Sequence, residues 1–341
     1  MVGADFVKME VWTWGTGGPF GRELGVAPMR RRRGHTATSI ILSDEDDGEA
    51  EMVGGRGEAT HFMIDAGAPS VETMVEKESP APDVLFLTHP HFDHISDLDR
   101  LANSRMRGHL VKSGTRNFEK ARGLFRPLPV IGTEACLNHP QDGVVAKFGY
   151  LEGLVRWTSI LGYDLWHSVR RSDGLIFPST AAVGAEDLFP LEFKALPVIH
   201  SKHAPGSCLF IFRSRSETGS SGREPARNIV ISGDFKSMEE SVEKNPDLRD
   251  PACIVLDTNT IRAKGSYHAS LVENMALIDR WCSGDEEVLI LLNHLSGFGD
   301  FLGGHYDHVP DDEDWKAAVE FVQKPKVVVK IAEDGGCYRV K

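Results

Sequence analysis

The sequence predicts an α/β fold around one large core, and three observations predict it. Short apolar runs that read as strands recur along the chain, several of them end in histidine or aspartate, and amphipathic stretches fit for helices lie between them. A chain of 341 residues, 41% of them hydrophobic, is long enough to bury such a core, alone or with a cap. Strands are expected over 8–14, 36–42 and 61–65, with the Gly-rich acidic segment 43–59 as a solvated excursion. A further apolar run, 84–87, leads into a polar loop, and a helix follows over 97–103. Residues 125–131 read as a Pro-punctuated strand. Between 133 and 190, short amphipathic stretches such as 142–154 accompany Trp157, Tyr163, Trp166 and His167, which is compatible with a helical cap or an insertion there. Such aromatics are more often core than substrate platform. The Ser/Gly/Arg-rich segment 214–227 reads as a loop between two strands.

The chemistry concentrates in Thr88-His89-Pro90-His91-Phe92-Asp93-His94, directly after the apolar run, where three imidazoles and a carboxylate fall within six residues. A strand that delivers its end to a tight loop lets His89 and His91 face one way, while Asp93 and His94 turn toward a second position. Two metal ions can then share the loop. Neutral imidazoles and carboxylates suit zinc, iron or manganese, and a pair of such ions about 3.5–4 Å apart is a clamp used in hydrolysis.

The H-x-H-x-D-H pattern of His89, His91, Asp93 and His94 resembles the signature of the metallo-β-lactamase superfamily. That resemblance implies a four-layer αββα sandwich, here as a single domain over 1–341, and further motifs in a fixed order. Asp65, in Asp65-Ala66-Gly67 after an apolar strand, looks like the aspartate that orients the histidine loop from behind. His200 follows the apolar run 195–199, Asp234 follows a Gly turn after 228–232, and His294 closes the run 288–292. The implied site puts His89, His91 and His200 on one ion, Asp93, His94 and His294 on the other, and Asp234 between them. A hydroxide held by both ions would be the nucleophile, with Asp93 beside it. Two divalent ions, zinc or manganese with iron as an alternative, are the implied cofactors.

Three features resemble the ribonuclease Z and phosphoribosyl cyclic phosphate phosphodiesterase branch: the turn His200-Ser201-Lys202, a histidine opening a helix at Tyr267-His268-Ala269-Ser270-Leu271, and His294-Leu295-Ser296 with a later Asp334-Gly335 hairpin. The resemblance gives His268 the role of proton donor or phosphate contact, while helix capping is its ordinary structural alternative. Lys202 is a candidate phosphate contact, although a lone lysine is ordinarily solvated. Two departures stand out. The chain has no cysteine-rich zinc insert near its start, and nothing matches the long tRNA-binding arm of ribonuclease Z. Arg30-Arg31-Arg32-Arg33 reads as an exposed basic run, and the segment around His305 and His308 as a loop lacking a preceding strand.

The function expected is hydrolysis of a small phosphodiester, cyclic or open, by a dinuclear metal-dependent hydrolase. A lactone, ester or lactam hydrolase and a non-hydrolytic iron-binding or redox scaffold are the alternatives from other classes. The net charge of −12 disfavours extended nucleic acid as partner and leaves a small anionic substrate. No apolar stretch has the length of a membrane span and the first residues lack the apolar core of a signal peptide, so a cytoplasmic protein is expected; a homodimer is left open. The five cysteines are far apart, with no C-x-x-C spacing, and read as buried thiols rather than as a disulfide framework.

Overall fold

The computed structural model describes residues 8–17, 33–43, 59–114, 125–181, 184–215, 227–262, 267–295, 301–302, 305–306 and 312–340. Nearly all strands enter two sheets. The first contains β1 (Lys8–Gly15), β2 (Ala37–Ser43), β3 (Thr60–Ile64), β4 (Val84–Phe86), β5 (Leu128–Gly132), β6 (Val155–Ser159) and the last strand, β17 (Gly336–Val340), in the order β17-β1-β2-β3-β4-β5-β6. The second contains β7 (His167–Arg170), β8 (Ile176–Pro178), β9 (Leu188–Pro197), β10 (Cys208–Ser214), β11 (Ile229–Ile231), β12 (Cys253–Asp257), β13 (Val288–Asn293) and β16 (Val327–Ile331), in the order β16-β13-β12-β11-β10-β9-β7-β8. The remaining pair, β14 (Phe301–Leu302) and β15 (His305–Tyr306), forms a small ribbon of its own.

The strands are apolar on both faces because both faces are covered, and their alternation sorts the layers. On β10, Cys208, Phe210 and Phe212 enter the core between the sheets, whereas Leu209 and Ile211 join a second core on the outer face. On β12, Cys253 and Val255 point inward and Ile254 and Leu256 outward. That outer core is closed by Leu271, Ile278 and Trp281 of the helix Leu271–Trp281 and by Trp315 and Val322 of the helix Asp312–Val322. A third core lies outside the first sheet, where Met63, Leu85 and Val130 meet Leu98, Leu101 and Ala102 of the helix Leu98–Ser113. Three apolar layers between four structural ones make the αββα sandwich.

The central layer is aromatic. Phe86 packs against Phe62, Phe193, Phe210 and Phe212 with ring centroids 4.9–5.4 Å apart. Each fully buried ring contributes about 1.5–3 kcal/mol, with edge-to-face contacts adding about 0.5–1.5 kcal/mol per pair. Phe86 therefore anchors the strand whose end carries the histidine loop.

Several expectations shift. The helix after the histidine loop runs to Ser113 rather than stopping at 103, because Leu98, Leu101, Ala102 and Met106 keep one buried face and Gly114, at φ 63°, ends it. The strand expected over 125–131 is confined to Leu128–Gly132. The helical cap expected over 133–190 is replaced by two short helices, Glu134–Asn138 and Val144–Phe148, followed by β6, β7 and β8. Alternating β-branched and aromatic residues such as Val155-Arg156-Trp157-Thr158 favour the pleat, and these strands extend both sheets. The Asp334-Gly335 turn is not a hairpin within one sheet; it carries the chain from β16 in the second sheet to β17 in the first. All five cysteines are free; Cys136, Cys208 and Cys253 are buried, but Cys337 is exposed. Among the described residues no helix is long and apolar enough to cross a membrane. The acidic segment over 44–58, the arginines 30–32, most of the loop 214–227, Ser296 and His308 lie outside the described residues.

Candidate metal centre

The ligand candidates meet where strands end. β3 and β4 run parallel, as do β11, β12 and β13, and Asp65, Thr88, Asp234, Asp257 and His294 lie at or just beyond their carboxyl ends. β9 and β11 both run antiparallel to β10, so His200 arrives on the same side as Asp234. Left-handed turns at Asp65 (φ 59°), Gly233 (φ 56°) and His294 (φ 58°) re-aim the chain at three of these ends. At Gly233 a Cβ would lie 2.7 Å from Thr88 Cβ, so only glycine lets the Asp234 turn pack against the histidine loop.

Hydrogen bonds fix which nitrogen of each ring faces inward. Asp65 Oδ1 accepts from Thr88 N at 2.9 Å, and its Oδ2 accepts from Thr88 Oγ1 and His94 Nδ1, each at 2.7 Å. With its proton given to Asp65, Thr88 Oγ1 is free to accept from His89 Nδ1 at 3.0 Å. His200 Nδ1 donates to Tyr267 O at 2.7 Å. The Nε2 atoms of His89, His94 and His200 then carry lone pairs toward Asp234 Oδ2, at 3.6, 3.2 and 3.8 Å. His294 Nε2 lies 3.1 Å from both Asp93 Oδ2 and Asp234 Oδ2, and His91 Nδ1 lies 3.1 Å from His200 Nε2.

Three groups of converging side chains result: His89, His91, His200 and Asp234; Asp93, His94, Asp234 and His294; and Asp234, Asp257, His268 and His294. The first two are the sets expected from the sequence, with Asp234 shared. Asp257, the last residue of β12, is not among the sequence candidates. Its Oδ2 accepts from Phe235 N at 3.0 Å and pairs with His268 Nδ1 at 3.1 Å, while Oδ1 lies 3.6 Å from His294 Nδ1. The available signal was its likeness to Asp234, another carboxylate closing an apolar strand. Helix capping is done by Ser270, whose Oγ accepts from Glu273 N at 3.2 Å while Glu273 Oε2 accepts from Ser270 N at 2.9 Å, so His268 is left outside the helix and free of that task. The rings of His268 and His294 stack at 4.6 Å.

The electrostatics are those of a cation site. Burial pushes the Asp234 carboxyl up, but His294, His94, His89 and His268 outweigh it and hold the group well below the usual carboxylate range. Burial likewise opposes ionisation of Asp93, yet His94 and His294 bring it down to about 2. Against the same burial, Asp234 and its neighbouring carboxylates raise His94, and they bring His294 up to about 9. His89 is pushed down, by burial first and then by the surrounding imidazoles. Despite this crowding, His89 Nε2, His94 Nε2 and Asp234 Oδ2 are buried without a hydrogen-bond partner. An unmatched buried polar atom costs about 1–3 kcal/mol, and converging bare nitrogens and a carboxylate oxygen match what a divalent ion accepts. The residues fit a metal.

The comparisons with known proteins agree with that geometry. The sequence profile of the metallo-beta-lactamase superfamily matches residues 52–210, which hold Asp65, the histidine loop and His200. That stretch carries a metallo-β-lactamase domain. No curated protein sequence matches it. Among solved structures, a diphosphatase from the PhnP family superposes with a TM-score of 0.59 at 16% identity, covering 98% of both chains. The metallo-beta-lactamase fold protein YhfI from Bacillus subtilis gives 0.59 and 16%, covering 98% of this chain and 100% of its own. The short form of human tRNase Z gives 0.55 and 14%, covering 97% and 99%. At these identities the likeness shows a shared fold over nearly the whole chain.

Proposed function

We propose that the chain is a dinuclear metal-dependent hydrolase that cleaves a small anionic phosphodiester. The observation that carries this reading is the pair His268 and Asp257 at the edge of the two ligand sets. The match to the metallo-β-lactamase superfamily over residues 52–210 supports metal-dependent hydrolysis, and the structural likeness to a PhnP-family diphosphatase and to tRNase Z supports phosphoryl chemistry. His89, His91 and His200 would hold one ion, Asp93, His94 and His294 the other, with Asp234 common to both; the donors suit zinc or manganese, with iron as the next choice. Such ions supply Lewis-acid stabilisation of a phosphoryl oxygen and ionisation of an attacking water.

The chain's own residues supply the rest. Asp257 accepts the Nδ1 proton of His268, which fixes the ring and leaves Nε2 to hold a proton for the departing oxygen. Stacking on His294 keeps that ring beside the second ligand set, and its side chain is 18% exposed, open enough to meet a substrate. Asp93 faces His294 and Asp234 and orients the attacking oxygen within that set.

The test is turnover of bis(p-nitrophenyl) phosphate and a 2′,3′-cyclic nucleotide beside a lactone and a β-lactam, with zinc- or manganese-loaded protein. Phosphodiester turnover lost in His89→Ala is expected. His268→Ala should lower kcat by about 100-fold or more with metal content unchanged. Equal loss of metal would make His268 structural, and turnover confined to the lactone or lactam would replace this reading with carbonyl hydrolysis.

A further inference from the structure

The segment between the sheets carries four aromatic candidates for a substrate contact, and the structure separates them. Trp157 packs on the outer core of the first sheet. Trp166 lies under Arg213, 3.8 Å from ring centroid to guanidinium, with Lys194 at 5.1 Å. His167 is buried and stacked on Phe193 at 5.2 Å. Tyr163 differs from all three: it is 40% exposed and lines a groove of about 410 Å³ together with Ile199, His200, Ser201 and Lys202.

His200 belongs to the first ligand set, so the groove lies on the turn that carries a candidate metal ligand and runs along the loop 199–207. That loop is fixed in advance. Thr133 Oγ1 donates to Gly206 O at 2.9 Å, and at Gly206 (φ 71°) a Cβ would lie 2.1 Å from the same hydroxyl. On the other side Ile199 N donates to Ser237 O at 2.9 Å. Burial pushes the Tyr163 phenol up to about 12, and the ring therefore offers a neutral face. Ile199, 51% exposed, adds a second large apolar surface beside a metal ligand. Exposed apolar side chains grouped at a polar centre mark a binding surface.

We propose that this groove is the subsite for the phosphodiester substituent that is not expelled, and that it selects a flat, ring-bearing group of aryl or nucleoside size through Tyr163 and Ile199. Lys202 supplies the groove with a cation for the anionic substrate. The volume fits a small-molecule substituent. The proposal rests on the phosphodiesterase reading.

The experiment uses three p-nitrophenyl phosphodiesters with the same leaving group, the other substituent being methyl, phenyl or thymidine-5′, with metal-loaded full chain. Calorimetric binding of phenyl phosphate and methyl phosphate runs beside it. The phenyl and thymidine esters should exceed the methyl ester in kcat/KM by about 10-fold or more, since burying and stacking one ring is worth that factor. Tyr163→Ala should collapse the ratio to about 2-fold through KM, and Tyr163→Phe should retain it. Ile199→Ser, at an exposed position, should reduce the ratio too, and serves if Tyr163→Ala does not fold. Equal kcat/KM for all three esters, or an equal loss on all three in Tyr163→Ala, overturns the subsite while leaving the phosphodiesterase standing. If no ester turns over, the activity reading fails, and binding decides: phenyl phosphate held about 10-fold tighter than methyl phosphate, and weakened by Tyr163→Ala, keeps the subsite, whereas equal binding removes it.

Discussion

The two halves of the metal centre are built in opposite ways. His89, His91, Asp93 and His94 come from one loop of six residues after β4, aimed by local hydrogen bonds from Asp65 and Thr88. His200, Asp234 and His294 come from the ends of β9, β11 and β13, each placed by the second sheet as a whole. The first half depends on the chemistry of one turn and the second on the register of several strands. The halves meet at Thr88, whose carbonyl accepts from Cys208 N at 3.0 Å and whose side chain lies against the bare Cα of Gly233. A local ligand loop can bind only as well as the distributed half is held against it.

The comparison breaks most sharply at Asp234, the one residue common to all three side-chain groups. Asp234→Asn should lower phosphodiester turnover by about 1000-fold or more and reduce bound metal below two ions per chain, read by elemental analysis of the purified protein. Retention of two ions would mean that the local loop organises the centre alone.

The strand beneath the local half carries its own pH dependence. His61, buried in β3, is pushed down to about 4 by desolvation, against the hydrogen bond from its Nδ1 to Pro80 O. The unfolded chain takes up this proton below about pH 6.5 and the folded chain does not, so stability is full above that pH and declines as pH falls toward 4. The loss amounts to about 3 kcal/mol across the window. Denaturant midpoints at several pH values should show that slope, and His61→Gln should flatten it relative to the parent chain. An unchanged slope in His61→Gln would assign the effect elsewhere.

These two regions also differ in how legible they were. The histidine loop announces itself because four candidate ligands stand within six residues, and His200, Asp234 and His294 follow from apolar runs that end in a ligand. Asp257 ends such a run too, but its partner His268 lies eleven positions on, across a turn whose direction no local pattern states. The segment 133–190 misled because its strands are only three to five residues long, too short to show a period against the helix-like stretch before them. Tyr163 could not be told from Trp157, Trp166 and His167 by composition; only the packing of the other three sets it apart.

Asp65 sharpens the contrast from the local side. Asp65→Asn leaves one acceptor oxygen where two served Thr88 and His94, so the rings of His89 and His94 lose their fixed orientation. Metal affinity should fall by about 10- to 100-fold, measured by competition with a chelator, while the distributed ligands keep their places. A change of less than about 2-fold would show that the loop is held by its backbone.

The smallest effect is expected at Asp257, which serves the distributed half without belonging to either of its primary ligand sets. In Asp257→Asn the amide can still face Phe235 N and occupy the same space, but the charge that steadies protonated His268 is gone. Turnover should fall by about 10-fold with metal content and KM nearly unchanged. The double variant decides the matter: if Asp257 acts through His268, Asp257→Asn costs nothing further once His268 is alanine, whereas an additive loss would place Asp257 with the metal ligands and make the third group of side chains a binding site in its own right.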